Sequence, residues 1–517
     1  MRIIMKIIGL IIISILAFAE LPATEINDLI PDNDIARAAQ MISFVGRGTA
    51  VMGGMTGRFE IQFLAPDNLY LSIDLGILKI SQGFDGKTAW IRDQNNQTME
   101  LEGAEKKQII NTAYISSFSY LLKDRMPGEV VYSRDSTIDN IDYSIFNVFP
   151  MGGDSVLIYI NKNTKRLEIY REQLDDISII TYASDFQDVS GIEVPFTLKA
   201  LANNPQLNSS MVYEEMMINE PVDKRIFLKS GEDFVDYFYP ADVKAITIPF
   251  SYYNGHIYIE GSVDGQPGRF ILDSGAGANV IDRAFAEKIG LEKTGDLPSK
   301  GVTGYGTASL TEIDSIQLAE ISLYDQVVTI VDFNVSGLIA NEHFAGILGY
   351  DLLSRFPFKV NFSDSTLIFY NPKLFTPPAD DYAIDIEFVM KVPTITASYD
   401  GHPGKFLIDF GNSLGLILHS SFIDKYNLKE TFTDTMTMTG GIGGIGGSSS
   451  AIAAVGGDFE FGPVVIEKTA LIYADSKEGI TQSVILDGNI GTLILKDFSI
   501  LLDYERKKIY VLPPETE

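Results

Sequence analysis

The chain has 517 residues, no cysteine and a formal net charge of −29. The lack of cysteine excludes disulfides, thiol catalysis and lipid attachment through a lipobox cysteine, and the acidic balance argues against nucleic acid and anionic membrane surfaces, whose fields would repel the chain. At 45% hydrophobic and 21% charged the composition is ordinary for a globular protein, and the length exceeds a single core, so about three domains are expected at roughly 150 residues each.

The first residues read as an export leader spanning residues 1–19. Arg2 and Lys6 give a basic start, Ile7 to Leu16 is almost wholly apolar, and Ala17-Phe18-Ala19 is a small-x-small cleavage site. The apolar run is about ten residues against the ~20 that a bilayer crossing needs, which favours a cleaved leader over an anchor. Export without disulfides suits the periplasm or cell envelope of a Gram-negative bacterium, or secretion. Four scattered histidines (His256, His343, His402, His419) lack metal-ligand spacing, so no metal site and no cofactor are expected.

Residues 20–238 form the first expected domain. Short period-two runs such as Arg58 to Phe63 and Leu69 to Ile73 predict strands of an antiparallel sheet. Turn residues separate them, as in Pro66-Asp67-Asn68 and Asn161-Lys162-Asn163. Helices are expected near Asp34 to Met41 and around Lys106 to Leu122. The single tryptophan, Trp90, follows a turn and reads as core. The turns Gly83 to Trp90, Ile160 to Leu167 and Asp185 to Pro195 resemble those of lipoprotein-carrier-like periplasmic domains. That resemblance implies a curved half-barrel sheet closed by helices, with a concave apolar face for an acyl chain or hydrophobic peptide. A sheet packed on its helix without ligand is the plainer alternative.

Lys229 to Asp233 reads as a boundary, after which the sequence repeats itself once, giving lobes at 239–375 and 376–517. Gly265-Gln266-Pro267-Gly268-Arg269-Phe270-Ile271-Leu272-Asp273 is answered by Gly401-His402-Pro403-Gly404-Lys405-Phe406-Leu407-Ile408-Asp409, so Asp273 and Asp409 stand 136 residues apart (409 minus 273). Each aspartate ends an apolar strand and opens a small-residue turn: Ser274-Gly275-Ala276 in the first copy, Phe410-Gly411-Asn412 in the second. Apolar walls raise a carboxyl's pKa by desolvation, and two adjacent carboxyls can share one proton and activate water. Later in each copy come Ile347-Leu348-Gly349 and Asn489-Ile490-Gly491, each followed by paired strands: Phe358 to Phe362 with Thr366 to Tyr370, and Ser499 to Leu502 with Lys508 to Leu512.

This double motif resembles the retropepsin-like aspartic proteases over roughly residues 245 to 513. The resemblance implies a mainly β fold with two tandem β-barrel lobes in a pepsin-like bilobal unit. It further implies that Asp273 and Asp409 are catalytic, supported by Ser274, Gly275, Ala276, Phe410, Gly411, Gly349 and Gly491. Glycine-rich stretches between the motifs, around Gly304, Tyr305 and Gly306 and around Gly443 and Gly444, correspond to the family's mobile hairpins over the substrate. A phosphate loop is the rival for these glycines, but neither stretch opens a helix or carries the required Lys-Ser/Thr.

The second copy departs from the family pattern. Phe410 replaces the Ser or Thr whose hydroxyl ties the two turns together, Asn412 replaces a small residue, and Asn489 an apolar one. Two functions follow: an exported aspartic-type endopeptidase acting on peptide or protein, or a catalytically inactive envelope protein that binds peptide or lipid.

Overall fold

The computed structural model describes residues 25–512, apart from 176, 230–233, 301–304, 334–343, 445–446 and 475–479. The expected leader and most of the expected boundary at Lys229 to Asp233 lie outside the described residues. The fold is mainly β, built of large curved antiparallel sheets.

Among the described residues, the N-terminal half holds one sheet of thirteen strands. Two meanders meet where Ser43–Met52 pairs antiparallel with Met55–Leu64 on one side and with Ser209–Ile218 on the other. Alternation sets the faces: Phe59, Ile61 and Phe63 are buried while the residues between them are only partly covered. Two helices, Asp32–Gln40 and Gly103–Ser116, cover the sheet. The second is shorter than the sequence suggests. Phe118 has a φ of 56°, and Ser119 N–H turns back to the Tyr114 carbonyl at 3.1 Å. A left-handed residue closes the helix, and Ser117 Oγ caps the same carbonyl at 3.0 Å. Trp90 lies in the core with its indole N–H donating to the Phe227 carbonyl at 2.8 Å.

The C-terminal half is built from two lobes with the same strand pairing. In the first, Gln266–Leu272 runs parallel to Phe344–Leu348, which pairs antiparallel with Val280–Asp282. In the second, His402–Ile408 runs parallel to Gly488–Ile490, which pairs antiparallel with Leu416–Leu418. A six-stranded sheet joins them at the base, with Phe358–Asn361 of one lobe hydrogen-bonded to Ser499–Asp503 of the other. One hydrophobic core runs through both lobes, from Ile246 and Phe270 to Phe406, Leu495 and Ile509.

The sequence suggests a short polar boundary and an N-terminal sheet that folds independently. In the structure the sheet is docked. Its core includes Leu310 and Val327 of the first lobe, and Asn95 brackets Val327, accepting from its N–H at 2.8 Å and donating to its carbonyl at 3.2 Å. The strand Tyr237–Phe238, ahead of the expected lobe start at 239, already pairs with Ile321–Val331 of the first lobe. Just before it, Asp236 forms a two-point ion pair with the equally buried Arg355, at 2.6 and 3.2 Å.

Candidate active site

Asp273 and Asp409 each sit at the end of a central apolar strand, with the main chain anchored to the supporting strand beneath. Asp273 N–H donates to the Leu348 carbonyl and Asp409 N–H to the Ile490 carbonyl, both at 3.0 Å. The strands therefore deliver both carboxylates to the seam between the lobes. Their side chains are hydrogen-bonded to each other. Glycine makes this approach possible: a methyl on Gly411 would lie 2.2 Å from Asp273 Cγ, and one on Gly275 would lie 2.6 Å from Asp409 Cγ.

The glycines below are fixed for the same reason. A methyl on Gly349 would lie 2.5 Å from the carbonyl oxygens of Ala276 and Ala278, and one on Gly491 would lie 2.2 Å from the Leu414 carbonyl oxygen. Each supporting strand can close under its turn because it ends in glycine. In the first lobe Asn279 Oδ1 also accepts from Gly349 N–H at 3.0 Å, while Asn279 N–H donates to the buried Asp351 at 2.8 Å.

Ser274 ties the turns across the interface. Its buried hydroxyl donates to the Ile408 carbonyl at 2.7 Å and accepts from Phe410 N–H at 3.1 Å. No hydroxyl answers from the other side, because Phe410 occupies that place. Its ring is fully buried and faces Phe358 and Phe362 at centroid distances of 6.5 and 6.4 Å. The lost polar tie is replaced by aromatic packing, and the carboxylates stay together.

The second turn carries a side-chain donor that the first lacks, added to the backbone donors common to both. Asp409 Oδ1 accepts from Gly411 N–H at 2.8 Å and Asn412 N–H at 3.0 Å, and its Oδ2 accepts from Asn489 Nδ2 at 2.5 Å. Asn412 Nδ2 in turn donates to Asn489 Oδ1 at 2.9 Å. The two departures from the small-residue and apolar pattern are thus partners. Their joint appearance was the signal that the sequence offered.

Burial, the charge of Asp409 and the hydrogen bond to it push the Asp273 carboxyl well above the usual carboxylate range. Two other titratable groups face the pair without any motif to announce them. His256 is buried with neither ring nitrogen paired among the described residues; burial lowers its pKa while Asp409 pulls the other way. The Tyr504 hydroxyl is likewise buried and unpaired among the described residues, and burial, Tyr350 and the two aspartates raise it.

Of the glycine-rich stretches, Tyr305 and Gly306 lie on the strand Tyr305–Leu318, paired antiparallel with Thr294–Lys300, while Gly304 lies outside the described residues. Gly443 and Gly444 end the strand Thr433–Gly444, paired antiparallel with Gly447–Val455. Both stretches therefore belong to hairpins. Elsewhere, in the N-terminal half, a cavity of about 220 Å³ opens between helix Asp32–Gln40 and the sheet, lined by apolar groups such as Met41, Phe44, Ile115 and Met216, with Arg37 and Arg166 also on its wall.

A family model described as Aspartyl protease matches residues 259–352, the segment from within strand His256–Val263 through Asp273 to just past Gly349. No curated protein matches the chain. Among solved structures, a DUF1329 family protein from Desulfovibrio piger is 12% identical, with a TM-score of 0.30, over 40% of this chain and 97% of its own. Basic 7S globulin from soybean is 9% identical, TM-score 0.32, over 52% and 95%. A LolA superfamily protein from Nitrosomonas europaea is 13% identical, TM-score 0.27, over 39% and 94%.

Proposed function

We infer that the chain is an aspartic-type endopeptidase, exported to the periplasm or cell envelope, in which two lobes arising by duplication each supply one catalytic aspartate. The observation that carries this reading is the contact of Asp273 with Asp409 across the lobe seam, each carboxylate seated against the glycine of the opposite turn. A carboxylate pair sharing one proton can polarise a water as general base while its protonated member donates to the scissile carbonyl. The carbonyl then becomes a tetrahedral gem-diol, and the proton returns to the departing amine as the C–N bond breaks. The paired strands Thr294–Lys300 with Tyr305–Leu318 and Thr433–Gly444 with Gly447–Val455 would cover an extended peptide lying against the pair.

The test is cleavage of an unfolded protein such as denatured casein. Asp273→Asn and Asp409→Asn are expected to abolish it with the fold intact by circular dichroism. Undiminished cleavage by Asp273→Asn would overturn the mechanism.

One observation favours a second reading, in which the protein binds a hydrophobic ligand without cutting it: the apolar cavity in the N-terminal half. An acyl chain or apolar peptide fits its lining. Binding of a fluorescent fatty acid that Met41→Trp abolishes, with no peptide cleavage under any condition, would favour that reading.

A further inference from the structure

The two aspartates are not equivalent, and the difference begins at a backbone amide. Leu414 N–H donates to Asn412 Oδ1 at 2.9 Å. That fixes the Asn412 side chain with its Nδ2 outward, where it donates to Asn489 Oδ1 at 2.9 Å and to the Gly415 carbonyl at 3.3 Å. Asn489 is thereby oriented in turn, so that its Nδ2, and not its oxygen, meets Asp409 Oδ2 at 2.5 Å. The relay runs from one main-chain N–H to one carboxylate oxygen. Gly491 leaves room for it, because a methyl there would stand 2.5 Å from Asn412 Nδ2.

The first lobe has no such relay. Ala276 and Ile347 occupy the places of Asn412 and Asn489, and apart from its contact with Asp409 the Asp273 carboxyl takes backbone donors alone, Gly275 N–H at 2.8 Å and Ala276 N–H. Asp409 is met by donors on both oxygens. An oxygen facing a fixed N–H donor cannot also carry a proton toward that donor, whereas a carboxylate is stabilised by each one. We propose that Asn489 is a positioning residue, oriented by Asn412, that places the single negative charge of the pair on Asp409 and leaves the shared proton on Asp273.

The surrounding groups leave the charge where the relay puts it. The titratable groups that face Asp409 are Asp273 from the opposite turn, His256 from the first position of strand His256–Val263, and Tyr504 from the turn after Ser499–Asp503. Burial lowers the pKa of His256 and raises that of the Tyr504 hydroxyl, which favours the uncharged form of both at neutral pH and leaves the charge of the pair on the aspartates. In the endopeptidase reading on which this rests, Asp409 is then the base toward water and Asp273 the acid toward the carbonyl.

The test uses the full chain and two readouts. An epoxide reagent such as 1,2-epoxy-3-(4-nitrophenoxy)propane is opened by an ionised carboxylate, and mass spectrometry locates the ester. The expected label is on Asp409 in the native chain. In Asn412→Ala/Asn489→Ile, which copies the first lobe's residues, the preference for Asp409 should be lost, and the acid limb of kcat/KM should move up by about one pH unit, the size of one lost hydrogen bond to a charged group. Asn489→Gln, which keeps a donor, should restore part of both. Label on Asp273, equal label on the two, no label on Asp409, or a label pattern unchanged in the double variant would overturn the proposal. The labelling does not depend on peptide cleavage, so absence of proteolysis with Asp409 selectively labelled would reject the endopeptidase reading and keep the proton assignment.

Discussion

The ammonium of Lys391, in the first hairpin of the second lobe, lies 2.6 Å from Asp93 of the N-terminal sheet and 4.0 Å from Asp351 of the first lobe. Three parts of the chain therefore converge on one partly buried cation. Burial opposes its charge, but Asp351 and Asp93 more than offset this and hold it protonated. The residue before it reaches the loop after Asp273, since a methyl on Gly277 would stand 2.9 Å from the Met390 carbonyl oxygen. Asp351 also holds Asn279, which supports Gly349 beneath the Asp273 turn.

Removing Asp93 alone should therefore be costly. Breaking a buried pair leaves an uncompensated charge, worth about 3–5 kcal/mol, and the lower end applies because the Lys391 side chain keeps 19% of its exposure. Asp93→Ala should lower stability in urea by about 3 kcal/mol, while Asp93→Leu/Lys391→Met should recover most of it. A single variant as stable as the native chain would show that the pair is not desolvated as the structure places it.

A chain that begins at Tyr239 loses both Asp93 and Asp236. Lys391 keeps only the more distant Asp351, Arg355 loses its sole ion-pair partner among the described residues, and Leu310 and Val327 lose the apolar surface that covers them. The truncated chain is expected to aggregate or to lose cleavage activity, in contrast to the independence that the short polar boundary suggests. Size-exclusion chromatography and a casein assay check this. A monodisperse and active product would show that the docking is dispensable.

The difference between what the sequence disclosed and what it hid has a physical basis. Strand alternation, the paired apolar lead-ins to Asp273 and Asp409, and the glycines beneath them are local patterns, and each is imposed by a contact that recurs in both lobes. The docking of the sheet rests on single side chains far apart in sequence, such as Asp93 with Lys391, and no periodicity records them. His256 and Tyr504 reach the pair through tertiary placement alone. Asn412 and Asn489 were visible as departures, yet only the geometry shows that one departure orients the other.

Ser274 and Phe410 make opposite contributions to the seam. Ser274→Ala would leave the buried Phe410 N–H and Ile408 carbonyl without the hydroxyl, a loss of about 1–3 kcal/mol, and would loosen the pair enough to lower kcat. Phe410→Thr, which supplies the hydroxyl typical of related turns, should not be an improvement. It empties the space of a ring packed against Phe358 and Phe362 and should cost about 3 kcal/mol. Thermal unfolding and steady-state kinetics on both variants test the contrast. A Phe410→Thr chain that is both more stable and faster would show that the aromatic ring is a defect and not a replacement for the tie.

Holding a proton on Asp273 makes the folded chain less stable as pH rises. The Asp273 carboxyl is raised by burial first, then by the charge of Asp409 and the hydrogen bond to it. A carboxyl whose folded pKa lies above its unfolded value, near 3.9, binds its proton more tightly in the folded state. Its contribution is fully present below the unfolded value and is lost as pH rises through the folded one. Asp273→Asn removes this group's pH dependence while an amide N–H can still donate to Asp409. The variant should therefore match the native chain near pH 4 and become progressively more stable than it as pH rises, with the difference levelling off above the raised pKa, while peptide cleavage is lost throughout. Thermal unfolding of both chains from pH 4 to pH 8 provides the comparison. A stability difference that is constant with pH, or that shrinks as pH rises, would mean that Asp273 does not hold its proton in the folded protein.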